Sequence, residues 1–388
     1  MRGPVGDEVG IGVIGFGWMG RVHARAYARL RHHFPQLPLV PRLLVAADPA
    51  PDRLEAAERH GFERTTAAWR QLLDDPRVQA VSITVPNWLH REIGVAMARA
   101  GKHIWIEKPV GRDAGEAKAV AAAVAETGVQ STVGFNYRNV PAVAHARDLI
   151  GQGRIGAVTH ARFRMLSDYA AHPAAARSWR FKRGESGSGV LGDLASHGVD
   201  LARHLLGEID GVVADEAIFI PERPEPAAVP SHFAVARGGA LGTVENEDYV
   251  GCLLRFSSGA RASLEASRVS VGEQNNYGFE IHGTTGAVAW DFRHMGELRV
   301  CLGEAYQNQG FATVFVGPGH GVFEAFQPAA GIAMGYDDLK VVEAANFLQS
   351  VAQGTPCGPT IDDAVRAAVV LDAVSESVRT GSWARVPR

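Results

Sequence analysis

The sequence predicts a doubly wound α/β domain followed by an α+β domain whose strands run mostly antiparallel. Three observations predict it. A length of 388 residues suits two domains at about 150 residues each. Up to about residue 135, short β-branched runs alternate with helical stretches, the pattern of a parallel sheet layered by helices. After about Asn139 strand-like runs follow one another directly, joined by tight, glycine-containing connections.

Residues 11–14, 43–47, 78–85, 104–106 and 129–133 read as strands, short and apolar enough to lie buried between helix layers. Helices are expected over 21–30 and 89–100, the second ended by Gly101. Asp113 with Glu116 three residues later marks the capped start of an alanine-rich helix running to Gly128. In the second half a helix over 142–150 precedes strands at 158–165, 212–220, 250–256, 261–267, 278–282 and 287–292. A helix around 190–206 is inserted among them, and helices over 336–353 and 361–380 close the chain. The proline-rich stretch 221–230 reads as a surface loop. The domains are placed at 1–136 and 137–388.

Hydrophobic residues make up 46% and charged residues 21%, which excludes wholesale disorder. Thirty-nine basic against 42 acidic side chains leave a charge of −3, so no strong field gathers nucleic acid or an anionic membrane. Cys252, Cys301 and Cys357 are widely spaced and form no CxxC. That argues against both a disulfide scaffold and a cysteine zinc site. No apolar run approaches the roughly 20 residues that span a bilayer. The first nine residues carry Asp7 and Glu8 rather than the apolar core of a signal peptide. A cytoplasmic location is expected.

Gly15-Phe-Gly-Trp-Met-Gly20 matches G-x-G-x-x-G. The string is weak alone, but here it follows a strand and opens a helix, as a dinucleotide-binding Rossmann turn requires. Gly15 permits the tight turn, Gly17 lets backbone approach a pyrophosphate, and Gly20 lets helix pack on strand. Phe16, Trp18 and Met19 complete the cradle, and the helix N-terminus offers N–H groups and a favourable dipole. Asp48 closes the second strand, where an acidic residue accepts hydrogen bonds from the adenosine ribose. It lies further on than the usual spacing of about 20 residues, and an inserted loop at 32–41 accounts for the excess. A carboxylate there repels a 2′-phosphate, favouring NAD over NADP. The alternative for Asp48 is a turn-forming residue before Pro49.

Val85-Pro-Asn-Trp-Leu-His90 and Glu107-Lys-Pro109 each follow a strand of the parallel sheet, where doubly wound folds hold ligands. The Lys108–Pro109 bond is a candidate for the cis form. Asp193 and His197, four residues apart, share one helical face. A histidine beside a carboxylate can exchange protons near neutral pH. Alone, that spacing describes a surface pair more often than a catalytic one, and a zinc pair is the other rival, although no third and fourth ligand accompany it.

Six motifs in order carry a resemblance: Gly15-Phe-Gly-Trp-Met-Gly20, Ala47-Asp-Pro49, Pro86-Asn-Trp-Leu-His90, Glu107-Lys-Pro109, Gly134-Phe-Asn-Tyr-Arg138 and Gly192-Asp-Leu-Ala-Ser-His197. Over most of its length the chain resembles the glucose–fructose oxidoreductase / inositol dehydrogenase / rhizopine-catabolism (Gfo/Idh/MocA) family of nicotinamide-dependent sugar and polyol oxidoreductases. The resemblance implies a catalytic trio of Lys108, Asp193 and His197, with His197 the general base and no metal. It places Pro86, Asn87, His90, Glu107, Lys108 and Asn136 at the cofactor. It also implies an open, mostly antiparallel second sheet that pairs subunits into dimers or tetramers.

Three further strings, Ser178-Trp-Arg-Phe181, Ile220-Pro-Glu-Arg-Pro224 and Pro328-Ala-Ala-Gly-Ile332, and the loop at 32–41 resemble an anhydrosugar-oxidising subgroup. In that subgroup Tyr137, Asp168 and Tyr169 would meet sugar hydroxyls, beside Lys108, Asp193 and His197, while Trp179 and Arg180 reach the nicotinamide end. The implied reaction takes a hydride from a ring CH–OH carbon to NAD. Two alternatives stand beside it: an NAD-retaining enzyme that cleaves or epimerises glycosides, and a dinucleotide sensor without chemistry.

Overall fold

The computed structural model describes residues 6–225, 235, 239–303 and 308–387. The chain forms two units, residues 1–139 with 334–365 and residues 140–333 with 366–388.

In the first unit the strands are β1 (Asp7–Ile14), β2 (Leu39–Ala47), β3 (Arg64–Thr66), β4 (Ala80–Ile83), β5 (His103–Ile106) and β6 (Ser131–Val133). They form a parallel six-stranded sheet in the order β3-β2-β1-β4-β5-β6. The order reverses between β1 and β4, and such a switch point is where an open α/β sheet leaves a ligand crevice beyond its strand ends. The helices α1 (Trp18–His33), α2 (Pro51–Arg59), α3 (Asn87–Arg99) and α4 (Ala114–Thr127) connect the strands. β1 is buried continuously from Val9 to Ile14, as expected of a strand covered on both faces.

Asp113 caps α4 by accepting the Glu116 N–H at 2.8 Å. The Glu116 carboxylate takes the N–H of Arg112 at 2.8 Å rather than that of Asp113, so the capping is shifted by one residue. The loop expected at 32–41 is corrected. α1 runs to His33 and β2 starts at Leu39, so the extra residues lengthen a helix and a strand around a short connection. The helix Tyr336–Gln353 belongs to this unit, whereas the boundary at 136/137 had put it in the second domain. Its buried Leu339, Val341, Phe347 and Leu348 bind it there, with Arg25 Nε 2.8 Å from Asp337 and Arg29 2.5 Å from Asp338.

The second unit contains α5 (Pro141–Gly151), β7 (Val158–Leu166), α6 (Arg183–Ser186), α7 (Ser196–Leu206) and β8 (Ile209–Ala217). A two-stranded pair, β9 (Glu222–Pro224) and β10 (Leu241–Thr243), follows. Then come β11 (Tyr249–Phe256), β12 (Arg261–Ser267), β13 (Asn276–Gly283), β14 (Gly286–Asp291), β15 (Glu297–Leu302) and β16 (Ala312–Phe315). With the helix Tyr336–Gln353 as α8, the chain ends in α9 (Ile361–Thr380) and β17 (Ala384–Arg385).

Nine strands make one sheet, ordered β16-β15-β14-β13-β7-β12-β11-β8-β17. Only the β7–β12 pairing among them is parallel, so the sheet is mixed though mostly antiparallel. β11 and β12 alternate buried and accessible residues, because α5 and α7 pack against one face and the other stays open. Part of the proline-rich stretch is not a surface loop: β9 is a strand and its Arg223 is fully buried. Residues 226–230 lie outside the described residues. Among the described residues no helix is long and apolar enough to cross a membrane.

Candidate active site

β1 ends at Ile14 and the chain turns at Gly15, whose φ of +87° favours glycine. Its N–H donates to the Ala47 carbonyl at 2.8 Å. A Cβ on Gly20 would collide with the Gly15 carbonyl and lie 3.1 Å from Thr84 Oγ1, so Gly20 packs against the turn itself. Nothing lies within 4 Å of where a Cβ on Gly17 would stand. α1 then starts at Trp18 without a side-chain cap or an acidic residue in its first turn. Uncapped N–H groups, the dipole end and clear space above Gly17 fit the pyrophosphate of a dinucleotide. Trp18 lies stacked against Tyr336 with ring centroids 5.7 Å apart, and the Tyr336 hydroxyl points at Met19 Sδ, 3.8 Å away.

Asp48 takes the turn role that the sequence left open and keeps room for the other. Its carboxylate accepts the Phe16 N–H at 2.7 Å and the Ala50 N–H at 2.9 Å, and Arg53 approaches at 3.3 Å. It is therefore a turn residue that also ties the glycine turn to the end of β2. With three of about four acceptor positions taken, capacity for a ribose hydroxyl remains.

Pro86 precedes α3, and Asn87 is its first residue. His90 is buried, with Nδ1 2.7 Å from the Pro109 carbonyl and Nε2 2.8 Å from the Val85 carbonyl. The His90 ring thus lies between the turn after β4 and the turn after β5. Burial depresses its pKa, so one of the two contacts lacks a proton at neutral pH.

The Lys108–Pro109 peptide is cis. Glu107, just before it, is buried and accepts from Lys340 Nζ at 2.6 Å and from His23 Nε2 at 3.0 Å. Its other oxygen accepts the Lys108 N–H at 3.3 Å, and a Cβ on Gly134 would collide with this carboxylate. Burial alone would raise the Glu107 pKa, but the Lys340 ammonium and His23 hold it well below the usual carboxylate range. Glu107 is thus engaged with Lys340, His23 and the Lys108 amide. Burial pushes His23 down to about 4, so its imidazole is a neutral donor. Asn136 and Tyr137 sit buried in the short turn Asn136–Asn139 after β6.

In the second unit the segment Leu191–Ala195 is a π-helical turn, closed by the Ser196 N–H on the Leu191 carbonyl, and it runs into α7. The i, i+4 face-sharing expected of Asp193 and His197 assumed an α-helix throughout; the wider turn rotates Asp193 relative to α7. Asp193 Oδ2 accepts the Tyr169 hydroxyl at 2.5 Å and lies 3.9 Å from Arg180 Nε. Burial, then the charge of Asp193, raises the Tyr169 pKa well above its usual value, which keeps the phenol a donor. Tyr169, expected at a sugar hydroxyl, spends its hydroxyl on Asp193 here. His197 is buried on the first turn of α7. Asp168 is half-buried beside Tyr169, and the Arg180 guanidinium lies 4.4 Å from the Trp179 ring centroid.

Two arginines to which the sequence assigned no role hold this loop. Arg268 donates to Asp248 at 2.8 Å and to Asn246 Oδ1 at 2.9 Å. Arg223 donates to the carbonyls of Ala170 at 2.6 Å and His172 at 3.0 Å. Both guanidiniums approach the Phe181 ring, at 4.3 Å for Arg223 and 4.6 Å for Arg268. His23, Lys340 and Glu343 were missed as well. The available signal was a Lys340–Glu343 pair at i, i+3 inside the apolar run Leu339–Leu348, where a solvated charge is out of place. Among the described residues no group of three or more His, Cys, Asp or Glu is arranged to hold a metal ion.

The glycine turn that opens α1, uncapped and with clear space above Gly17, is that of a dinucleotide-binding oxidoreductase fold. Residues 9–135 match the oxidoreductase family with an NAD-binding Rossmann fold, and residues 143–289 match the GFO/IDH/MocA C-terminal domain. The chain belongs to the Gfo/Idh/MocA family of oxidoreductases, and its first unit carries that family's NAD-binding Rossmann fold. It is 40% identical to levoglucosan dehydrogenase of Pseudarthrobacter phenanthrenivorans over 386 residues, 98% of this chain and 99% of that protein. It is 29% identical to inositol 2-dehydrogenase of Rhizobium meliloti, over 95% of this chain and 97% of that one. The solved structure of levoglucosan dehydrogenase in complex with NADH and levoglucosan superposes with a TM-score of 0.92 at 38% identity, covering 98% and 100% of the two chains.

Proposed function

We propose that this protein oxidises a secondary ring hydroxyl of an anhydrohexose, or of a closely related pyranose or cyclic polyol, with NAD. The carrying observation is Asp193, a carboxylate held by the Tyr169 hydroxyl at 2.5 Å on the π-turn that leads into the helix of His197. Full-length likeness to levoglucosan dehydrogenase supports the anhydrohexose, and its 3-hydroxyl is the proposed reacting group. The cofactor supplies the hydride acceptor when bound.

Lys108, Asp193 and His197 carry the remaining chemistry. His197 takes the hydroxyl proton as general base, a contribution worth roughly 10²–10⁴ in rate. Lys108 stabilises negative charge as it grows on that oxygen. Asp193, fixed by Tyr169, orients and charge-balances the base. The glycine turn 15–20, Asp48, Pro86, Asn87 and Asn136 are proposed to bind the cofactor, with Trp179 and Arg180 at its nicotinamide end. Tyr137 and Asp168 are proposed to meet the sugar. Asp48 favours NAD over NADP, because Phe16 and Ala50 hold its carboxylate in place against a 2′-phosphate.

The second unit is proposed to bind substrate and to join subunits through its open sheet face. Leu253 and Trp383 are exposed on that unit, beside a groove lined also by Arg162, Arg255 and Arg261. A cytoplasmic setting is proposed on the three free cysteines.

The test is purified protein with NAD or NADP against levoglucosan, glucosides and inositols, following absorbance of reduced cofactor. Stoichiometric NADH with an anhydrohexose is expected. Conversion of a sugar without net NADH would replace the reading with an NAD-retaining one.

A further inference from the structure

We propose that Lys340 is a positioning residue for the Glu107-Lys108-Pro109 turn: its ammonium fixes the Glu107 carboxylate, and that carboxylate sets the backbone from which Lys108 projects. The inference rests on the role proposed above for Lys108.

Lys340 and Glu343 are fully buried, with Lys340 Nζ 2.6 Å from Glu107 and 2.8 Å from Glu343. Removing such ions from water is costly, and well-packed apolar residues of similar volume commonly stabilise a fold at least as well. Holding a helix in place therefore does not by itself explain the cluster. Its geometry offers another explanation. One Glu107 oxygen takes Lys340 and His23, and the other meets the Lys108 N–H at 3.3 Å, in space that exists because residue 134 has no side chain. His23 belongs to α1, the helix that starts at the glycine turn. A single carboxylate thus joins the dinucleotide-binding helix, the lysine turn and α8. On the far side of Lys108, His90 Nδ1 lies 2.7 Å from the Pro109 carbonyl, so buried polar groups flank the lysine turn at both ends.

The groups facing Glu107 are Lys340, neutral His23, Glu343, His90 and the Lys108 amide. The Lys340 ammonium opposes its charge from within hydrogen-bond distance, at 2.6 Å. Without that ammonium, a buried carboxylate beside a neutral imidazole takes a proton in the neutral range, and its grip on the turn becomes pH-dependent.

The experiment compares the full-length wild type, Lys340→Met, Glu107→Gln and the double variant. It reads NADH affinity by energy transfer from tryptophan, and kcat and KM against pH. For Lys340→Met we expect NADH affinity and kcat to fall about tenfold or more, KM for sugar to stay within about threefold, and a new loss of kcat below about pH 8. The double variant should be no worse than Lys340→Met and should lack the new pH limb, because coupled residues do not add. Wild-type affinity, kcat and pH profile in Lys340→Met would overturn the proposal, as would losses that multiply in the double variant. If Lys340→Met does not fold, the double variant combined with Glu343→Gln, which leaves no carboxylate of the cluster without its ammonium, decides: weakened NADH binding supports the proposal and wild-type binding overturns it. The affinity arm reads Lys340 even if no sugar is oxidised, so failure of the substrate reading is seen separately.

Discussion

Each unit buries a cluster of charge beside the residues proposed above to function, but the two clusters are built from different cations. In the second unit Arg268 spreads its planar fork over Asp248, Asn246 and the Arg180 carbonyl, and lies over the Phe181 ring. In the first unit the Lys340 ammonium, a point charge, is shared by Glu107 and Glu343. A guanidinium that bonds carbonyl oxygens fixes the path of a loop by geometry. An ammonium between two carboxylates sets a charge balance instead, and burial with the Glu107 charge lifts Glu343 to about 7 against the pull of Lys340. The comparison teaches that the loop carrying Trp179 and Arg180 is fastened mechanically, while the lysine turn is fastened electrostatically.

The largest expected effect breaks the first half of that contrast. Arg268→Leu strips the buried Asp248 of its ion-pair partner and leaves it only the N–H groups of Phe219 and Ile220, and should cost about 3–5 kcal/mol of stability in denaturant titration. A loss below about 1 kcal/mol would mean that Arg268 is not the fastening. Next comes Asp48→Ala, which removes acceptors for the Phe16 and Ala50 N–H groups. NAD affinity should fall about tenfold or more, since hydrogen bonds to charged groups contribute about 1.5–3 kcal/mol, and discrimination against NADP should relax. An unchanged cofactor preference in paired titrations would remove Asp48 from selectivity.

Tyr169→Phe deletes one donor to Asp193 and sharpens the comparison, because that contact is proposed to serve chemistry rather than fastening. Turnover should drop about tenfold with thermal stability nearly unchanged; a large stability loss with normal turnover would reverse the assignment.

The smallest effect lies in the first-unit cluster. Because the folded pKa of Glu343 is raised from 4.5 to about 7, its ionisation opposes folding. The wild type therefore loses stability from this group as pH rises through about 4.5 to 7. Glu343→Gln should remove that slope in melting curves taken across the interval, and parallel pH profiles for the two proteins would contradict the charge-balance account.

The glycine turn was legible because backbone chemistry demands it: Gly15 needs φ of +87° and Gly20 has no room for a Cβ. The Asp113 cap was legible for the same local reason. Non-local features were not. β3 has three residues and β16 is a short, largely exposed edge, so neither writes an alternation into the sequence. The parallel β7–β12 pairing joins strands about a hundred residues apart, beyond any local signal. The π-turn at Leu191–Ala195 broke the 3.6-residue period on which the Asp193–His197 argument relied. Tyr169 and Lys340 meet their partners only after folding, 24 and 233 residues away in the chain, and neither partner could be read from spacing.

The most direct test is His197→Ala, together with Lys108→Ala, assayed for NADH formation and, separately, for NADH binding. Turnover lower by at least about 10² with the dinucleotide still bound is the predicted result. Near-wild-type turnover in either variant would contradict the mechanism.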